Sequence, residues 1–354
     1  MKVGAVGIGA GSLYTASDAK IDRLISYAVD RGVNLIDTVM YDESASAQVA
    51  SSLRGRRSEM VMQMHLGAIY PDGVYTRTRD LGKVKRGFER ELEKYGTDYA
   101  DIGIIHCVDE DENFDEIMDG GIFEYALEQR KNGAIRFLGF SSHETRICRR
   151  FIDTGEIDIF MLSINPSYDF EHGANGLVLS KERMELYGEC QRRGIGITVM
   201  KPYGGGQLLN EKTSPLGVAL TIPQCLSYAL DRPAVLSCLP GVASLSDLEA
   251  ALGYFDASPA ARDYSSIACA ADATATGSCI YCNHCQPCPQ GIPIGLVNKY
   301  FDLAKAGDAL ARDHYLRLGK KASDCVGCGA CEKACPFHVG VIDRMKNMRD
   351  FFAA

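Results

Sequence analysis

"DLGKVKRGFERELEKYGTDYADIGIIHCV", residues 80–108, contains one complete passage from helix to strand. Leu81, Val84, Phe88 and Leu92 recur three or four positions apart, the spacing that lines one face of an α-helix, and Gly96 stands where that helix should stop. YADIGIIHCV (99–108) follows as a short, nearly continuous apolar run, the pattern of a strand covered on both faces.

The same alternation extends in both directions. Upstream lie VGAVGIG (3–9), DAKIDRLISYAVDRG (18–32), NLIDTV (34–39), SASAQVASSLRG (44–55) and EMVMQMHL (59–66). Downstream come FDEIMDGGIFEYALEQRKNG (114–133), IRFLGFSS (135–142), TRICRRFIDTG (145–155), IDIFMLSIN (157–165) and ERMELYGECQRRG (182–194). IGITVMKP (195–202), IPQCLSYALDR (222–232), AVLSCLPGV (234–242) and LSDLEAALGYF (245–255) complete the series. Eight strands, each followed by a helix, within about 255 residues match the length and order of a (β/α)8 TIM barrel, an α/β fold. A doubly wound open sheet is the competing architecture. Eight regular units suit closure better, and GIGAGS (7–12) lacks the G-x-G-x-x-G spacing of a dinucleotide-binding turn.

Composition agrees with a large globular core: of 354 residues, 46% are hydrophobic and 24% charged. The net charge of -8 and a pI near 5.5 argue against a nucleic-acid interface, because neutralising phosphates needs clustered Lys and Arg. RGRR (54–57) and CRR (148–150) are short enough to read as solvated helix ends. No segment reaches the roughly 18 apolar residues of a membrane span, and the start of the chain is too glycine-rich for a signal peptide. A cytoplasmic location is the expectation, and there the 14 cysteines read as metal ligands sooner than as disulfides.

In such a barrel, chemistry gathers at the C-terminal ends of the strands. The titratable residues there are Asp37 and Tyr41 beyond strand two, His65 near the end of strand three and His106 near the end of strand four. Ser141, Ser142 and His143 follow strand five, Asn165 follows strand six, and Lys201 stands at the end of strand seven. A lone strand-end histidine is as readily a hydrogen-bonded structural residue as a catalyst. Met40, Met161 and Met200 read first as barrel packing.

Beyond Phe255 the alternation stops. The expected organisation is a barrel over 1–258, a small, polar, alanine-rich linker over 259–278 and a C-terminal domain over 279–354. That domain opens with Cys279, Cys282, Cys285 and Cys288 followed by Pro289. It then carries Cys325, Cys328, Cys331 and Cys335 followed by Pro336, the C-x2-C-x2-C-x3-C-P run of bacterial ferredoxins. The first run is one residue shorter in its last gap. Three closely spaced thiolates grip one cubane and the displaced fourth reaches the other. The spacing therefore predicts two [4Fe-4S] clusters, one on Cys279, Cys282, Cys285 and Cys335, the other on Cys325, Cys328, Cys331 and Cys288. Two four-thiolate zinc sites are the rival, although zinc pairs come as separated C-x2-C halves. Helix-like stretches between the runs suggest a small helical ferredoxin-like module. Cys107, Cys148, Cys190, Cys225, Cys238 and Cys269 are scattered and read as buried or inert.

The chain as a whole resembles the aldo/keto reductases, in particular the branch with a C-terminal ferredoxin-like extension. The resemblance is carried by GVNLIDTVMYDES (32–44), YADIGIIH (99–106), GAIRFLGFSSH (133–143), VMKPYGGGQL (199–208) and LPGVASLSDLE (239–249). It implies hydride transfer between NADPH or NADH and a carbonyl or alcohol substrate. By that resemblance Tyr41 is the proton-donating phenol, Asp37 the carboxylate behind it, and His106 the group that orients the carbonyl. Ser141 and Ser142 correspond to the residues that hold the nicotinamide carboxamide. Gly204, Gly205 and Gly206, with Gly241 and Ser244 of PGVAS, fall in the loops around the nucleotide phosphates and adenosine.

Three departures stand out. His65 occupies the place of the family's strand-three lysine, and an imidazole, ionising near pH 6.5 in general, is a weaker and pH-dependent cation; Lys201 is a second source of charge. Tyr41 follows Asp37 by four residues where the family has five. Asp247 stands where an arginine for the adenosine 2'-phosphate is common, and a carboxylate there repels phosphate. Two functions therefore remain: an iron–sulfur aldo/keto reductase, with or without a redox partner protein, and an iron–sulfur electron-transfer protein whose barrel has lost nicotinamide chemistry.

Overall fold

Eight parallel strands pair in chain order: β1 (Ile8–Gly9), β2 (Leu35–Asp37), β3 (Val61–Leu66), β4 (Ala100–Ile105), β5 (Ile135–Ser142), β6 (Ile159–Ser163), β7 (Gly196–Met200) and β8 (Val235–Leu239). The computed structural model describes residues 1–173, 176–264, 267, 279, 285–305, 309–335 and 339–353. Parallel bridges Val6–Cys238 and Gly9–Gly241 bring the last strand back to the first, giving a nearly closed barrel. Closure demands a glycine at position 9, because a Cβ there would lie 2.7 Å from the Leu239 carbonyl oxygen.

Inside the barrel, Leu35, Ile102, Ile104, Ile159, Met161 and Leu239 form one buried cluster. All six come from β2, β4, β6 and β8, the alternate-strand layering by which such barrels fill their interior. Met161 thus packs as the sequence suggested. Outside, Phe140 of β5 stacks on Phe151 at 4.3 Å and on Phe160 at 5.0 Å, so aromatic area seals the helix Thr145–Asp153 onto the sheet.

Helices follow the strands where apolar spacing placed them: Asp18–Asp30, Glu43–Ser52, Leu81–Lys94, Lys181–Arg193, Ile222–Leu230 and Leu245–Leu252. The helix expected over 114–133 is two, Asp111–Asp119 and Ile122–Lys131, because Gly120–Gly121 interrupts a run whose apolar spacing is otherwise continuous. The excursion after β3 holds a short antiparallel pair, Ala68–Ile69 with Thr76–Arg77.

The chain forms two compact units. One comprises Met1–Ile164, Lys181–Pro202 and Leu226–Ser258; the other comprises Asn165–Ser180, Tyr203–Cys225 and Pro259–Ala354. In the second, the helices Ile294–Lys305, Ala309–Arg317 and Val341–Ala353 share a core containing Val297, Tyr300, Tyr315, Met345, Met348 and Phe352. Tyr315 stacks on Phe352 at 3.6 Å, and Arg344 grips both oxygens of Asp302 at 2.5 and 2.6 Å. Lys299 lies 4.3 Å over the Tyr168 ring, and Gln224 donates to the Asp263 carbonyl at 2.7 Å. Segments that leave the barrel strands are thus consolidated with the C-terminal residues. Among the described residues no helix is long and apolar enough to cross a membrane.

Candidate functional site

β2, β3 and β4 are neighbours in the sheet, so residues at their C-terminal ends meet. Asp37 ends β2, Gln63 and His65 are two apart on β3 and share a face, and His106 follows β4. His65 Nε2 lies 2.6 Å from Asp37 Oδ2, and His65 Nδ1 lies 2.8 Å from His106 Nδ1. Gln63 donates to the same Asp37 oxygen at 2.6 Å while its own carbonyl accepts from the Thr198 hydroxyl of β7 at 3.0 Å. Asp37, His65 and His106 are each only 5% exposed, so this carboxylate is solvated by protein donors instead of water.

The other ring nitrogen of His106 lies 2.5 Å from the hydroxyl of Tyr75, a residue the sequence did not single out. Tyr75 belongs to the excursion after β3 and is pinned by its own N–H, which donates to the Tyr41 carbonyl at 2.9 Å. Its only sequence signal was membership of a long, tyrosine-bearing loop at a strand's C-terminal end. Tyr41 takes a different place. Its ring leans on Tyr14 at 5.0 Å, and its hydroxyl makes no hydrogen bond to Asp37, His65 or His106.

A second buried cluster follows β4. Asp109 accepts from the His143 N–H at 2.7 Å, from the Ser142 hydroxyl at 3.2 Å, and pairs with His143 Nδ1 at 2.9 Å. The donor atoms of Cys107, Asp109 and His143 lie within 4.8 Å of one another. Arg77 and Arg79 both donate to the Cys107 carbonyl, at 3.0 and 2.8 Å, and Lys201 contributes positive charge nearby. Cations already balance this acidic pocket, which reads as a neutralised buried network. Burial, and then Asp109, push the Cys107 thiol up to about 12, so it is not a ready nucleophile. Cys107 (φ 47°) and Lys201 (φ 56°) both hold left-handed backbone at the ends of β4 and β7, conformations that persist only where surroundings impose them. Asp109→Ala strips several hydrogen bonds from a buried charged network and should lower the unfolding free energy by about 3 kcal/mol, read from the urea midpoint.

The hydroxyls expected to hold a carboxamide already have protein partners: Ser141 Oγ accepts from the Cys107 N–H at 2.7 Å, and Ser142 binds Asp109. Ser244 caps the helix Leu245–Leu252, accepting from Asp247 N–H at 3.3 Å. The Asp247 carboxylate reaches back to the Ala243 N–H at 3.0 Å, which gives this acid a capping role. Gly241 is exposed and pairs with Gly9. Gly204, Gly205 and Gly206, in the second unit, have φ of 59°, 68° and 88°, a left-handed arch that side-chain-bearing residues would strain.

In the same unit, Cys288, Cys325, Cys328 and Cys331 line one narrow recess walled by Ile292, Ile294, Val341 and Met345. Cys325 Sγ accepts the Gly327 N–H at 3.5 Å. Cys279, Cys285 and Cys335 pack, partly buried, against the same apolar core, while Cys282 lies outside the described residues. Of the scattered cysteines, Cys107, Cys148, Cys190, Cys225 and Cys238 are buried, and Cys269 lies outside the described residues.

The family model described as the aldo/keto reductase family matches residues 1–221, more than half of the chain. The chain belongs to the aldo/keto reductase family. A second model, the 4Fe-4S dicluster domain, matches residues 278–342, so this aldo/keto reductase is an oxidoreductase with an iron–sulfur domain. Among solved structures it is similar to the holo form of an aldo-keto reductase from Bacillus halodurans: 21% identity, TM-score 0.61, covering 76% of this chain and 92% of that one. An aldo/keto reductase from Klebsiella pneumoniae in complex with NADP and acetate is 17% identical, with TM-score 0.55 and coverage of 76% and 92%. A putative aldo-keto reductase from Pseudomonas aeruginosa is 19% identical, with TM-score 0.56 and coverage of 72% and 90%. At these identities the likeness speaks for the barrel fold. The comparison with curated proteins found no match.

Proposed function

We propose that this aldo/keto reductase transfers hydride between a nicotinamide cofactor and a small carbonyl or alcohol substrate, and that two [4Fe-4S] clusters give its electrons a second route. The observation that carries the reading is the hydrogen-bonded set Asp37, His65 and His106 at the ends of adjacent barrel strands, a buried acid–base group of the kind carbonyl reduction needs. Nicotinamide is supported by membership of the family and by the NADP held in the Klebsiella pneumoniae relative. Bound nicotinamide supplies or takes the hydride; the protein orients the carbonyl and manages the proton.

The donor chemistry of the C-terminal unit suits iron and sulfide. Cys288, Cys325, Cys328 and Cys331 around one apolar recess would hold one cluster, and Cys279, Cys282, Cys285 and Cys335 the other. Such clusters pass single electrons, to the substrate side or to a redox partner protein.

Anaerobic titration of the iron-loaded protein with NADH and NADPH, followed by nucleotide fluorescence, tests the reading. Saturable binding is expected, with NADH at least as tight as NADPH because the Asp247 carboxylate disfavours a 2'-phosphate. The alternative, an iron–sulfur electron-transfer protein without nicotinamide chemistry, is favoured by histidine in place of the family's lysine. Intact clusters with no binding of either nucleotide would select it.

A further inference from the structure

We propose that Asp37, His65, His106 and Tyr75 form one proton relay, and that Tyr75, not Tyr41, is the phenol that exchanges a proton with the substrate oxygen. The inference rests on the carbonyl–alcohol reading above. Three consecutive hydrogen bonds of 2.6, 2.8 and 2.5 Å join the four side chains, and all four are between 3% and 5% exposed. Water therefore does not compete for the links.

The direction of each bond follows from the carboxylate end. Asp37 is an acceptor that already receives the Gln63 amide, itself oriented by Thr198. His65 must then present Nε2–H to Asp37, which leaves its Nδ1 to define two states. In the first, His65 Nδ1 accepts from His106 Nδ1–H, and His106 Nε2 accepts from the Tyr75 hydroxyl. The second holds one more proton: His65 carries both ring protons, its Nδ1–H donates to His106 Nδ1, and His106 Nε2–H donates to the Tyr75 oxygen. Only in the second state does the Tyr75 hydroxyl donate away from His106, the direction in which a substrate oxygen would take the proton.

Passage from the second state to the first delivers one proton. The Tyr75 O–H breaks as the bond to the substrate alkoxide oxygen forms. His106 Nε2–H breaks as a new Tyr75 O–H forms, and His65 Nδ1–H breaks as His106 Nδ1–H forms. A positive charge disappears from His65 as the negative charge on the alkoxide is quenched; a bound nicotinamide would supply the hydride that makes the carbonyl an alkoxide. Alcohol oxidation is the same sequence reversed.

Tyr75 never has to persist as a phenolate. The lysine that would stabilise one is therefore dispensable, and the His65–Asp37 pair serves as the proton store. Tyr41 touches this relay only through its backbone carbonyl, which accepts the Tyr75 N–H; its hydroxyl takes part in none of the three side-chain bonds.

Two readouts test the proposal. With NADPH and 4-nitrobenzaldehyde, Tyr75→Phe should lower kcat at least about 100-fold, the usual scale of a lost general acid, while Tyr41→Phe stays within about threefold. NADPH affinity should be unchanged in both. The opposite ranking, with Tyr41→Phe inactive and Tyr75→Phe active, overturns it. The second readout needs no turnover: in 15N-histidine-labelled holoprotein, Tyr75→Phe should shift the Nε2 resonance of His106, and one hydrogen-bonded proton should correlate with the Nδ1 atoms of both histidines. A His106 spectrum indifferent to Tyr75→Phe overturns the relay. Failure of the wild type to bind nucleotide or reduce the aldehyde counts against the functional reading, and the spectra then decide the relay alone.

Discussion

Cys328→Ala is expected to cost the protein about half of its iron and acid-labile sulfide, because one thiolate of a four-ligand set is lost while the second set is untouched. The effect should not stop at the metal. The recess shared by Cys288, Cys325, Cys328 and Cys331 is walled by Ile292, Ile294, Val341 and Met345, so its contents are flanked by the residues that start the helices Ile294–Lys305 and Val341–Ala353. A small helical unit whose apolar core borders such a recess relies on the filler for stability, as metal-nucleated domains do. Proteolysis within 294–353 should therefore accelerate sharply in Cys328→Ala, and further after chelation of the wild type. Cys190→Ala, at a buried position on a barrel helix, should retain full iron. Full iron content in Cys328→Ala would remove that residue from the ligand set. Zinc in place of iron and sulfide in protein isolated anaerobically would replace the cluster reading altogether.

Asp37→Asn should lower carbonyl reduction by about 10²- to 10⁴-fold, the range seen when the carboxylate behind a catalytic imidazole is neutralised. Asp37 receives His65 Nε2 and Gln63 Nε2 on one oxygen, both at 2.6 Å, and asparagine can accept there without carrying the charge that balances a protonated His65. Geometry is largely kept and proton storage is lost. Iron content and NADH binding should match the wild type, which separates this outcome from misfolding. An Asp37→Asn protein that turns over at the wild-type rate would mean that His65 acts without its carboxylate.

The barrel was legible because it is built from local regularity. Leu81, Val84, Phe88 and Leu92 announce their helix in four residues, and the same arithmetic recurs around the chain. The strand-end rule then put Asp37, His65 and His106 together, since parallel neighbours in a barrel direct their C-terminal ends to the same side. Where the reading fell short, the deciding contacts were non-local or the loop had no period. VGAVGIG looked like seven residues of strand, but only Ile8–Gly9 pair continuously, with Val6 in an isolated bridge. Tyr75 reaches His106 from an irregular excursion whose path depends on its backbone bond to Tyr41, which no spacing encodes. Asp109 escaped notice because an acid after a strand announces no partner, and His143 lies 34 positions downstream.

The consolidation of Asn165–Ser180 and Tyr203–Cys225 with Pro259–Ala354 bears on how the protein is made. A ribosome releases the two inner segments well before the residues they will join, so the nascent barrel must close its strands while those segments are still unanchored. Their final placement waits for the end of translation and, if the thiols are to be filled, for cluster delivery. Iron supply would thereby set when the enzyme matures, and a chain shortened at residue 258 would be an arrested assembly intermediate.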